Sequence, residues 1–350
     1  MIRGVPALLA LTAIAAGCGD ARVYPYSPAP PKNCPVSTLD GYAAVGGDVN
    51  GVSTPPTTGG GNGQTMTVND PLKLAELLQS PDPLVIYVNG MLSPSDTIKV
   101  TLDKDARGGN KTLIGIGANS GLTGAGLDLG YSDNIIVRNL KISKVFIGEG
   151  DAITLLNTHH VWIDHCDLSS DRDDTTSGYD GLVDITHGSS FITVSWTMFH
   201  DHGDTSLVGH TNDATQMAED AALSVTYHHN GFYHVASGPR VRWGNAHVFN
   251  NRFQDVTVFG VVSACDALVR VENNYFELVR NLPLATTYGD PLSGTMTEDG
   301  DVFSSSGPID IIQPSVTPPP LPYSWMTDSV DRAATRVDQC AGTGMFNFGP

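Results

Sequence analysis

Two spaced carboxylate pairs, Glu149/Asp151 and Asp180/Asp184, precede the segment Pro239-Arg240-Val241-Arg242, all set among runs rich in Val, Ile and Asn. Carboxylates are hard oxygen donors of the kind that Ca2+ gathers, roughly six to eight at a time. Arginine presents a planar fork of donors matched to another carboxylate. A calcium site beside such arginines would suit an acidic sugar, held or deprotonated there. The neighbouring Asp171, Asp173 and Asp174 make this stretch acidic in any case, so the spacing alone is shared by a ligand set and a solvated loop. His200, His202 and His210 have no carboxylate or cysteine at a fixed spacing, and no CxxC pattern occurs, so no zinc motif is read.

Something must hold those groups in place. The chain has 350 residues, with 38 glycines and 22 prolines and only 16% charged and 7% aromatic residues. That composition favours many turns and short strands, an all-β class, and one domain at this length. Runs at 135–142, 161–168, 191–199, 223–232, 246–253 and 268–276 share one texture, apolar residues alternating with polar ones. Their last members, Ile142, Leu168, Phe199, Phe232, Phe253 and Phe276, are 26, 31, 33, 21 and 23 residues apart. Such intervals suit solenoid coils with unequal loops; a β-sandwich is the competing fold. Asn139, Asn250, Asn251, Asn273 and Asn274 recur at comparable strand ends, where stacked turns would let their amides hydrogen-bond along the axis, which favours the solenoid. A short helix over 70–79, with Leu72, Leu74, Leu77 and Leu78 as its apolar face, is expected to cap the first coil.

The N-terminus has an apolar run over 7–14 and small residues before Cys18, the layout of an export signal over 1–17 with Cys18 as a lipidation site. A proline- and glycine-rich leader is read over 18–65 and the folded domain over 66–350, its tail packing back with a helix near 328–337. An exported, extracytoplasmic lipoprotein tied to the membrane only by this anchor follows as the expectation. The remaining cysteines, Cys34, Cys166, Cys265 and Cys340, allow three pairings; Cys34 with Cys340 is the candidate that would clip the chain ends, with Cys166 and Cys265 buried and free. A formal charge of −18 excludes a nucleic-acid partner, which needs a basic face. An anionic polysaccharide would have to be met by local cations. Nothing signals oligomerisation, so a monomer is expected.

Several motifs occur in one order: Val161-Trp162-Ile163-Asp164-His165, Asp180-Gly181-Leu182-Val183-Asp184, Val194-Ser195-Trp196, His228-His229-Asn230, Pro239-Arg240-Val241-Arg242, His247-Val248-Phe249-Asn250-Asn251 and Val271-Glu272-Asn273-Asn274-Tyr275-Phe276. On these the chain resembles the pectate lyases, over roughly 111–276. The resemblance implies a single-stranded right-handed parallel β-helix whose side cleft binds Ca2+ and pectate or polygalacturonate and cleaves the polymer by β-elimination. It also implies that Glu149, Asp151, Asp180 and Asp184 hold the calcium and that Arg242 binds substrate. Trp162, His165, Trp196 and His229 resemble scaffold residues of the coils.

The catalytic half departs from the family pattern. Where an Arg-x-Pro-x-x-Arg run supplies the base and a substrate arginine, Pro239 and Arg242 match but the first arginine falls on Ser237, and the segment after Asn230 is one residue shorter. The substrate lysine expected before Leu207-Val208-Gly209 falls on Asp204. Since one deletion in a strand exchanges its two faces, Arg240 is the replacement candidate for the base. Three readings follow: a calcium-assisted polyuronate lyase with a rearranged base, a noncatalytic carbohydrate-binding β-helix of the cell surface, and a glycosidase using paired carboxylates in 171–184.

Overall fold

The computed structural model describes residues 34–35, 37–49, 51–172, 178–312 and 320–346. The expected signal segment and Cys18 lie outside them. Among the described residues, parallel strands stack into a ten-stranded and a fourteen-stranded sheet, with the right-handed crossovers expected from strand twist. The result is a parallel β-helix. The sequence repeats fall in register on the ten-stranded sheet: Ile135, Val161, Ile192, Val225, Ala246 and Val269 are successive partners, all buried in one apolar core.

The terminal members of the repeats form a second column on the other sheet. Phe199, Phe232, Phe253, Phe276 and Phe303 are register partners, with ring centroids 4.7, 4.6, 4.6 and 5.2 Å apart. Identical side chains in register inherit the strand spacing of about 4.8 Å, which is a good distance for offset aromatic stacking. The asparagines divide into two roles. Asn139, Asn250 and Asn273 take the left-handed backbone conformation at a coil corner, with φ of 55°, 53° and 53°, a conformation asparagine tolerates better than most residues. Asn230, Asn251 and Asn274 form the internal ladder: Asn230 N donates to Asn251 Oδ1 at 2.9 Å, and Asn251 N to Asn274 Oδ1 at 2.9 Å.

Helix α1, Pro71–Gln79, is N-capped by Asp70, which accepts from Lys73 N at 2.8 Å. Its core face is Leu74, Leu77 and Leu78; Leu72, expected with them, is 76% exposed. At roughly 100° per residue Leu72 lies about 160° round the helix from Leu74, which puts it on the solvent side. The C-terminal helix, Val330–Cys340, starts two residues later than expected and runs three further. The region 37–63, read from sequence as loose leader, is a strap laid across the ten-stranded sheet. Tyr42 N and Ala43 N donate to Thr226 Oγ1 and Thr193 Oγ1 at 3.1 Å each, and Gly60 N to Thr112 Oγ1 at 2.9 Å. Cys34 and Cys340 are disulfide-bonded, and Cys166 and Cys265 are buried free thiols.

Candidate active site: a carboxylate cluster facing two arginines

The strands Ile153–Leu156 and Val183–Thr186 pair in parallel with Thr154 opposite Asp184. Alternation sends Val183 and Ile185 into the core and turns Asp184 outward. Asp151 stands just before the first strand. Its Oδ1 accepts from Gly181 N at 2.9 Å and its Oδ2 from Thr154 Oγ1 at 2.9 Å. Asp184 Oδ1 accepts from Leu207 N at 3.2 Å. Gly181 lies between the two acids: a Cβ there would stand 2.3 Å from Asp184 Oδ1 and 3.0 Å from Asp151 Oδ1. The cradle is thus kept open by the missing side chain.

The electrostatics of the cluster are unbalanced. Burial, then the charges of Asp180 and Glu149, push Asp151 up to about 6, against the pull of its two hydrogen bonds. Burial and Asp151 raise Asp184 well above the usual carboxylate range, and burial and Asp204 raise Asp180. Burial and like charge thus act in the same direction on all three acids. Glu149 is exposed and reaches the cluster from a neighbouring cavity that it shares with Asp151. The carboxylates are loosely spaced; among the described residues the ligand atoms lying mutually within 4.8 Å belong to another group, His187, His210 and Glu219.

Asp180, Asp184 and Asp204 share a cleft of about 170 Å³ with Ser237, Arg240 and Arg242. On the strand Gly231–Arg242 the buried Val241 separates the outward Arg240 and Arg242, so both arginines face this cleft. They share one acid with a fully buried side chain, Asp290, which sequence reading had not singled out. Asp290 Oδ2 accepts from Arg240 Nε at 3.0 Å and Nη2 at 2.6 Å, and Oδ1 accepts from Arg242 Nε at 2.9 Å. Arg240 Nη2 also donates to the Tyr288 carbonyl at 2.6 Å. Arg240 Nη1 and both terminal nitrogens of Arg242 are left without a partner among the described residues. Asp290 is 48 residues from Arg242 in the chain, and no local spacing announces it.

The two departures from the family pattern meet in space. Asp204 and Ser237 are register partners, and Ser237 Oγ donates to Asp204 Oδ1 at 2.7 Å. A neutral hydroxyl and an anion stand together where two cations were expected. The histidines considered from sequence do not converge: His202 Nε2 bonds the Asp180 carbonyl at 2.8 Å, while His200 bonds Asp167 and Asp201 at 3.2 and 2.8 Å. Burial opposes protonation of His200, but those two acids carry it up to about 9.

Comparison with known proteins places this geometry. A family model described as pectate lyase matches residues 31–344. A pectate lyase of Emericella nidulans is 36% identical over 297 residues, covering 85% of this chain and 84% of its own. Pectate lyase A of Aspergillus niger is 40% identical over 237 residues, 67% and 68% of the two chains. The chain belongs to the pectate lyase family. Among solved structures, a pectate lyase from Bacillus sp. N165 in complex with trigalacturonate superposes with a TM-score of 0.76 at 33% identity, covering 88% of this chain and 99% of that one. This pectate lyase family member is therefore a polysaccharide lyase on the parallel β-helix, carrying the Ser237/Asp204 pair in its cleft.

Proposed function

We propose that the protein cleaves pectate or a related polyuronate by calcium-assisted β-elimination, and that it does so outside the cytoplasm. The observation that carries the reading is the cleft itself, in which mutually destabilised acids face two arginines with unused donors. The donor set fits a hard cation: all oxygen, held open around Gly181, and short of positive charge. Asp151, Asp180 and Asp184, with Glu149 from the rim, would hold it. Bound Ca2+ would neutralise the uronate carboxylate and acidify the carbon next to it. Arg242, anchored through Nε, turns its free terminal nitrogens to the substrate carboxylate, and Asp290 fixes the plane of that fork. Arg240 is the proposed base: it would have to enter as the neutral guanidine, its open Nη1 taking the proton from the carbon next to the uronate carboxylate as the C–O bond to the leaving sugar breaks. The exported location is supported by the apolar N-terminal run and the Cys34–Cys340 bridge, which suits an oxidising compartment; no described helix is long and apolar enough to cross a membrane.

The hydrogen-bonded Ser237/Asp204 pair favours a second reading for this polymer, a cleft that binds polygalacturonate without cleaving it. Absorbance of the unsaturated product from polygalacturonate separates the two. The lyase reading expects product with calcium and none with chelator. Loss of a general base costs roughly 100-fold or more, and Arg240→Ala should fall by that much. Calcium-linked polymer binding without product would establish the second reading in its place.

A further inference from the structure

The group with the tightest ligand geometry lies outside the acidic cleft. Ile185 and Val208 are register partners at the ends of the strands Val183–Thr186 and Met198–Val208. Two residues beyond each, His187 and His210 are therefore side by side, their rings stacked at 3.9 Å. Glu219, on the short helix Met217–Asp220, comes over the pair: its Oε2 is 4.0 Å from His187 Nε2 and 3.9 Å from His210 Nε2. Gly188 permits the approach, since a Cβ on its positive-φ backbone would stand 2.7 Å from the Glu219 carbonyl.

Both imidazoles are oriented from behind. His210 Nδ1 bonds Asp220 Oδ2 at 2.7 Å, and His187 Nδ1 bonds Thr186 Oγ1 at 3.0 Å. Each ring thus keeps Nε2 for the shared space, the arrangement in which a carboxylate behind a histidine fixes the tautomer of a metal ligand. Separations of 3.9 and 4.0 Å are too long for hydrogen bonds. They are close to the edges of roughly 3.4 Å that four ligands at about 2.1 Å from a tetrahedral ion would have. Two further observations point to a ligand here. Asp220 is fully buried, yet its Oδ1 has no partner. His159, 4% exposed and with an unpartnered Nε2, lines a cavity of about 340 Å³ together with His187 and Glu219.

We propose that His187, His210 and Glu219 form a site for a borderline transition-metal ion of the Zn2+ class, which ties the segment 209–223 to the edge of the coils. Two imidazoles and one carboxylate select such an ion over Ca2+, which takes oxygen. The fourth position opens onto the cavity lined by His159 and is filled by water or an anionic oxygen ligand. The sequence conceals the trio because it joins three local contexts; of its members only His210 was considered from spacing, with partners it does not meet.

Zn2+ titration of the full chain by calorimetry, with excess Ca2+ present to occupy the acidic cleft, tests the site. One equivalent should bind. Asp220→Asn should weaken it by roughly 10- to 100-fold, and His187→Ala, His210→Ala and Glu219→Gln by more. Glu219 is exposed, with 59% of its side chain accessible, so that variant leaves the fold intact. Co2+ in place of Zn2+ should give the strong visible absorption of a tetrahedral ion in the wild type and lose it in Glu219→Gln. Asp184→Asn, in the acidic cleft, should leave Zn2+ affinity unchanged. Absence of saturable Zn2+ binding, or equal affinity in wild type and Glu219→Gln, overturns the proposal.

Discussion

Asp151 and Asp184 are each hydrogen-bonded and still raised, by burial first and then by the like charge of their neighbours. The sign of the consequence is fixed by linkage. A carboxylate whose folded value is raised adds stability that is present at low pH and lost as pH rises, for Asp151 through about 6. For Asp151 that displacement corresponds to roughly 2–3 kcal/mol, the order of destabilisation expected above pH 6 where no cation is bound. Asn at position 184 keeps an oxygen for Leu207 N and removes the charge. In chelator at pH 7.5 Asp184→Asn is therefore expected to melt above the wild type by roughly 2–6 °C, with the difference shrinking below pH 6. Added Ca2+ should stabilise the wild type and leave the variant unmoved, measured by scanning calorimetry across pH. A variant less stable than wild type in chelator at pH 7.5 would mean that the acids do not repel.

At the scale of the coil, the asparagine ladder does what no single strand can. Asn251 Nδ2 donates to the Tyr227 carbonyl at 2.9 Å and to Asn274 Oδ1 at 3.0 Å, while its Oδ1 accepts from Asn230 N. Removing that amide strands a buried backbone N–H as well as its own partners, at roughly 1–3 kcal/mol for each orphaned group. Asn251→Ala should thus lose about 3 kcal/mol in chemical denaturation, and a loss under about 1 kcal/mol would contradict the ladder's role. This level was the most legible in the sequence, because the alternation recurs from coil to coil and the phenylalanines and asparagines recur in several successive ones. What was hidden depends on contacts without a period. Asp290 reaches Arg242 from another loop, and the strap's donors find threonine hydroxyls on distant coils. His187, His210 and Glu219 meet only because Ile185 and Val208 are in register. The candidate cleft was half legible: the acids stand out by their spacing and by the motifs of the family resemblance, whereas the Ser237/Asp204 pairing needs the strand register to be known.

Over the whole molecule, a solenoid has contacts only between neighbouring coils and no inherent link between its ends. The structure supplies one by running both terminal segments back along the outside. Ser37 Oγ donates to Asp164 Oδ2 at 2.7 Å, Gly342 N to the Trp196 carbonyl at 2.7 Å, and Gly344 N to Asn139 Oδ1 at 2.7 Å. The Cys34–Cys340 bridge, spanning 306 residues, then closes the strap and the tail on each other across the middle coils. In the chain-entropy account a loop of that length is worth about 5–6 kcal/mol, but only if the ends and the coils unfold together. Because coil contacts are nearest-neighbour, the ends are expected to detach first when the bridge is absent. Cys34→Ser should therefore raise amide exchange in 37–63 and in the helix Val330–Cys340, while exchange in the strands from Ser132–Arg138 to Tyr275–Val279 stays near wild type. The global unfolding free energy should fall by less than the full entropic figure. Uniformly faster exchange across those strands would show instead that the clip holds the whole solenoid as one cooperative unit.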